Sequence, residues 1–272
     1  MPWDCSCPRL RQEGSAVTKI VSVHSFRGGT GKSNTSANLA ALIAASGRKV
    51  AVMDTDIQSP GIHALYGFDA DIPGRTLNNY LWGDCPIVDA AHDITDVIRG
   101  TARGVEPGGQ LWLVPSSIKA SDIARVLRQG YDVEVLNEGV RELATGLGLD
   151  VLVIDTHPGL NEETLLSITI SDTLVLLLRP DKQDYQGTAV TVDVARRLEV
   201  PELFLMVNKV PSGADREALA KEVSAAYDAE VIGVLPLSED LVTNASSTLF
   251  ALTHPDHPWS VTLAAAAVRI AG

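Results

Sequence analysis

The densest chemistry in the chain is the run Arg27-Gly28-Gly29-Thr30-Gly31-Lys32-Ser33, which leaves a β-branched stretch and enters a helical one. Glycines let consecutive backbone N–H groups turn inward around phosphate oxygens with no Cβ in the way, and a helix N-terminus adds positive potential. Lys32 can reach the β- and γ-phosphates of a nucleotide, and the Ser33 hydroxyl can ligate Mg²⁺. Asp54 and Asp56 follow a second apolar run, two residues apart. That spacing aims both carboxylates at the phosphate edge of a sheet only if the strand ends between them. Asp155 closes a third apolar run, Val151–Ile154, as an outer carboxylate of Mg²⁺ requires.

Such residues need a scaffold that delivers them to one edge. The chain repeats a short apolar run, a turn, then a helical pattern. Strands are predicted at 19–26, 49–53, 111–114, 151–154, 173–178, 203–207 and 231–235. Helices are predicted from the glycine loop through Ala45 and at about 119–129, 132–147, 161–171, 185–198, 215–228 and 258–270. Continuously apolar strands alternating with helices imply a doubly wound α/β fold, a mostly parallel sheet with helices on both faces. Residues 1–16 read as a flexible leader and 17–272 as one domain, with 57–110 a long, Gly-, Asp- and Pro-rich connection.

The loop lacks the glycine that an ordinary P-loop would place at Phe26. It resembles the deviant Walker A loop, KGGxGK[ST], of the ParA/MinD family of P-loop ATPases, and the resemblance runs over roughly 18–270. In that family the first lysine reaches the partner's phosphates across a nucleotide-sandwich dimer. Here the position holds Arg27, whose planar fork is not equivalent to an ammonium.

The resemblance implies ATP/ADP and Mg²⁺ as ligands, held by Gly28, Gly29, Thr30, Gly31, Lys32, Ser33 and Asn34. By position it gives Asp54 a water-mediated hold on Mg²⁺ and makes Asp155 the Walker B carboxylate. Asp56 would orient the attacking water, with Lys32 and Arg27 completing the catalytic set. Asn208 would read adenine, and Pro236 would sit in the loop that closes over the base. His157 stands where relatives have a small residue or proline; with no partner readable in the sequence, it reads as a polar surface histidine.

Composition narrows the function. The net charge is −12, and residues 137–272 carry 9 basic against 20 acidic groups. So acidic a surface repels phosphate backbones and anionic headgroups, which argues against non-specific DNA and membrane binding. The C-terminal segment has one basic residue, Arg269, and many alanines, unlike a lipid-gripping basic helix. Three cysteines (Cys5, Cys7 and Cys85) make no disulfide framework, and no run is long enough to span a bilayer, so the cytoplasm is the default address. Only Cys85 lies outside the leader, which disfavours a dimer-bridging iron–sulfur cluster needing two cysteines per subunit.

Three functions remain. The leading one is an ATP-dependent homodimeric switch with slow turnover, read by a protein partner or cargo adaptor during positioning or partitioning. The alternative is a signalling module that binds nucleotide with little turnover. A biosynthetic ATP-dependent enzyme would need a second constellation for its organic substrate, and none is visible outside 57–110.

Overall fold

The computed structural model describes residues 17–69, 72–100 and 104–272, so the expected leader, with Cys5 and Cys7, lies outside the described residues. The first half of the described chain runs β1 (Lys19–His24), α1 (Lys32–Ala45), β2 (Lys49–Asp54), α2 (Ile62–Leu65) and α3 (Leu77–Leu81). A 3₁₀ turn at Ile87–Ala90 leads to β3 (His92–Asp93), α4 (Thr95–Arg99), β4 (Gln110–Val114), α5 (Ala120–Gln129) and α6 (Val133–Leu147). The second half runs β5 (Val151–Asp155), α7 (Glu162–Ile170), β6 (Thr173–Leu178), α8 (Lys182–Arg197) and β7 (Glu202–Val210). It ends with α9 (Arg216–Tyr227), β8 (Glu230–Pro236), α10 (Glu239–Asn244), α11 (Phe250–Thr253) and α12 (Pro258–Ala271).

The strands form one sheet in the order β3-β4-β2-β5-β1-β6-β7-β8. Every described pairing is parallel except that of β3 with β4. The strands are apolar throughout because both faces are covered, and successive residues serve opposite layers. Val151 and Val153 of β5 face the layer of α1 and α12, whereas Leu152 and Ile154 face that of α6. In the other half of the sheet, Leu174, Leu176 and Leu178 of β6 join Val192 of α8 and Val223 of α9.

The apolar residues of α1 are buried all round: Ala37, Leu39, Ala40, Ala41, Leu42 and Ile43 are covered by the sheet, α11 and α12 together. The 57–110 stretch is more ordered than its composition suggests. It contains three short helices, one opened by the reciprocal cap of Thr76 and Asn79. Its strand β3 is only two residues long and finishes the sheet edge in antiparallel pairing, which leaves little edge to recruit another strand.

α12 packs rather than projects: Trp259, Leu263, Ala266 and Ile270 are buried, and Arg269 pairs with Glu230 of β8 at 2.8 Å. Among the described residues no helix is long and apolar enough to cross a membrane.

Candidate nucleotide-binding site

Strand register builds the site. β5 lies between β2 and β1, pairing Asp54 with Asp155 and Val23 with Asp155, so two carboxylates and the start of the glycine loop reach the same level of the same edge. The loop turns back through Gly29 (φ 78°) and Gly31 (φ 93°), left-handed conformations that a side chain would strain. Gly31 has a second reason: a Cβ there would lie 2.5 Å from the Asn208 amide nitrogen. α1 then begins at Lys32, with the Thr35 amide donating to the Gly31 carbonyl at 3.0 Å.

Lys32 points under the loop. Its Nζ donates to Asp155 Oδ1 at 3.0 Å, and the Ser36 hydroxyl donates to the same oxygen at 2.8 Å. Asp155 Oδ2 is buried with no hydrogen bond among the described residues. Asp54 accepts from the amides of Asp56 (3.0 Å) and Gly61 (3.3 Å) and is fully buried. Burial, then the neighbouring Asp155, pushes its carboxyl up to about 8 against the pull of Lys32. Two carboxylates thus share one buried lysine, and the edge avoids a second buried negative charge by keeping a proton on Asp54.

This donor set fits Mg²⁺. Asp54, the open oxygen of Asp155 and the Ser33 hydroxyl, which makes no hydrogen bond among the described residues, are hard oxygen ligands of the kind Mg²⁺ takes. Among the described residues no group of three His, Cys, Asp or Glu side chains forms a metal cage by itself. Mg²⁺ does not need one, since it keeps waters and phosphate oxygens as ligands.

Asp56 lies at the rim, 8% exposed. His157 is its partner, with Nδ1 at 2.7 Å from Asp56 Oδ1. The expectation of an unpartnered surface histidine is therefore corrected. The contact joins residues 101 apart in sequence. It follows from the register: two residues beyond the Asp54–Asp155 pair, the chain places 56 opposite 157. Strand order was the missing signal.

His24, at the end of β1, was also missed. Its Nδ1 is 2.7 Å from the Thr156 hydroxyl, which donates onward to the Val23 carbonyl, so the imidazole proton sits on Nδ1. Burial, helped by Lys32 and His157, lowers its pKa to about 3 and keeps it neutral.

The remaining predicted residues differ in how directly they reach the loop. Asn208 is buried, with Nδ2 donating to the Thr30 carbonyl at 2.8 Å and Oδ1 accepting from the Lys209 amide. Here it braces the loop, a contact that the sequence did not suggest. Lys209 adopts φ 58° and folds its Nζ onto the Gly29 carbonyl at 2.7 Å. Asn34 is tied to Asn38 at 3.0 Å, one turn along α1. Pro236 stands at the end of β8, paired with Val210, on the sheet's outer strand. Arg27 leaves the loop sideways and donates to Gln183 in the first turn of α8. The same helix supplies Gly187, whose missing side chain makes room for the Phe26 ring.

A family model described as an AAA domain matches residues 18–200, well over half of the chain. The chain belongs to that family and, within it, to the ParA/MinD family of P-loop ATPases. An uncharacterised ATP-binding protein of Methanocaldococcus jannaschii is 27% identical over 253 residues, covering 93% of this chain and 87% of its own. The flagellum site-determining protein of Helicobacter pylori is 28% identical, over 81% of this chain and 66% of its own. The fold is shared with the septum site-determining protein MinD of Pyrococcus horikoshii, solved with Mg-ADP. That likeness has a TM-score of 0.75 at 19% identity, over 93% of this chain and 96% of that one. The eight-stranded sheet described above is thus the ParA/MinD form of the P-loop fold.

Proposed function

We propose that this chain binds ATP with Mg²⁺, dimerises in that state, hydrolyses slowly, and is read by a protein partner that depends on the state. The observation that carries the proposal is the incompletely satisfied edge: Lys32 rests on Asp155, whose second oxygen is buried without a partner among the described residues, beside an Asp54 that burial drives to hold its proton. Such an arrangement suits a polyanion and a divalent cation arriving together. Lys32 can exchange Asp155 for phosphate oxygens, and Asp155 and Asp54 then become available on the metal side. Bound Mg²⁺ supplies charge neutralisation of the β- and γ-phosphate oxygens.

The loop amides from Gly28 to Lys32 hold phosphate, Ser33 offers its hydroxyl to the metal, and Asp56 orients the water that attacks in line. Asn34, Asn208 and Pro236 flank the nucleotide, with Asn208 also holding the loop by its Thr30 contact. The relatives supply the kind of cargo: one determines a flagellum site and another a septum site. Positioning or partitioning of a cargo through an adaptor is therefore the reading taken here, in the cytoplasm. The net charge of −12 and the packed α12 do not favour bulk DNA or membrane as partner.

Arg27 tests the dimer. Among the described residues its guanidinium makes one hydrogen bond, an exposed one to Gln183, so a partner's phosphates can claim it at little cost. Light scattering should show ATP-dependent dimers of the wild type that disappear in Arg27→Ala, while ATP affinity of the monomer stays within about threefold. Arg27→Lys should keep part of the dimer and of the phosphate release. Dimerisation of Arg27→Ala at the wild-type level would remove the cross-subunit role.

A further inference from the structure

The Asp56 carboxylate is held from one side. Its Oδ1 accepts from the Ser59 amide at 3.2 Å, the Ser59 hydroxyl at 3.0 Å and His157 Nδ1 at 2.7 Å. Its Oδ2 has no hydrogen bond among the described residues, yet it is not one of the sealed, partnerless buried atoms. One carboxylate oxygen offers about two lone-pair directions, so three donors saturate Oδ1 and leave only Oδ2 free to accept. Of the three contacts, the two from Ser59 come from a turn three residues away and move with Asp56. Only His157 ties the carboxylate to a different part of the fold.

His157 is itself well anchored. Its carbonyl accepts from the Thr164 hydroxyl of α7 at 3.2 Å, and two residues later the Gly159 amide donates to the Ser25 carbonyl at 3.2 Å, beside the phosphate loop. The imidazole therefore refers the position of Asp56 to the loop and to β5.

We propose that His157 is a positioning residue for hydrolysis: through Oδ1 it locks the Asp56 carboxylate so that Oδ2 alone accepts from the attacking water. The inference rests on the hydrolytic reading given above. Because an acceptor carboxylate requires the proton to lie on nitrogen, His157 is the Nδ1–H tautomer in this contact.

Displacement of a water-orienting group by about 1 Å costs on the order of 100-fold in rate. His157→Ala should therefore lower kcat by about 30- to 100-fold, with ATP affinity and KM within about threefold of wild type. His157→Asn, whose amide N–H takes the place of Nδ1–H, should recover most of that loss. A nitrogen-edited spectrum of the full chain should show a protected Nδ1–H of His157 that vanishes in Asp56→Ala. A hydrolysing wild type matched in kcat by His157→Ala overturns this inference and leaves the hydrolytic reading standing. So does a loss that Asn does not restore, or one accompanied by lost ATP affinity. A wild type that binds ATP and releases no phosphate overturns the hydrolytic reading and this inference with it.

Discussion

The β2–β5–β1 and β6–β7–β8 parts of the sheet are made of the same kind of apolar strand, yet they bury different things at their carboxyl ends. The first part buries Lys32, Asp54, Asp155, Asp56 and His24 and leaves Asp155 Oδ2 and His24 Nε2 without partners among the described residues. The second buries leucines, with Leu174, Leu176, Leu177 and Leu178 at most 1% exposed. Among the described residues the one carboxylate it buries beyond β6, Asp184, is answered by Arg179 at 2.9 Å, and Lys19–Glu202 and Arg269–Glu230 lie at the strands' amino ends near the surface. Incompletely paired buried charge costs several kcal/mol per ion, so the first part works against stability and the second supplies it. The contrast locates function: strain of this kind persists where a ligand relieves it.

The comparison predicts that substitutions in the two parts fail differently. The largest effect expected is on binding. Lys32→Ala should weaken ATP at least about 100-fold by calorimetry, the value of one or two charge-assisted hydrogen bonds. Wild-type affinity in that variant would remove the phosphate-loop assignment and the comparison with it. Leu176→Ala should do the reverse. It should lose about 2–5 kcal/mol in denaturant unfolding through transfer and cavity costs while ATP affinity in folded protein is kept.

The smallest effect is the most diagnostic. With its carboxyl raised to about 8 in the folded state, Asp54 binds a proton more tightly folded than unfolded. Its contribution to stability is complete below about pH 4, drains as pH rises towards 8, and levels above. Asp54→Asn should flatten that slope, melting several degrees above wild type at pH 8 without ligand and close to it at pH 5. It should also lose most of the stabilisation that Mg²⁺ adds to ATP. Identical melting curves of the two proteins at pH 8 would mean that Asp54 carries no such strain.

The parts of the site that could be read from the chain were those encoded by contiguous residues. Arg27–Ser33 announces its turn by glycine spacing, and Asp54 and Asp155 announce themselves by ending apolar runs. The strands were legible because each is buried on both faces and so lacks polar interruption. What stayed hidden depends on pairing between distant segments: His157 on Asp56, Asn208 on Thr30, and Lys209 on Gly29. None has a local pattern, because each contact is made by the order of strands in the sheet. Within 57–110, α2 and α4 escaped for another reason, since four- and five-residue helices hold too few residues to display a period.

The pairing of Asp54 with Asp155 also governs which changes of length the chain can absorb. Side chains alternate across a sheet, so one residue added within β2 or β5 turns its aspartate into the opposite layer and brings a methionine or isoleucine to the edge. Insertions past Gly61 and before β4 meet no such rule, because neither the carboxylate spacing nor the Asp56–Ser59 turn passes through them. Length changes in the exposed turns of that later connection therefore leave the site's register intact, while β2 and β5 accept substitution but neither gain nor loss of a residue.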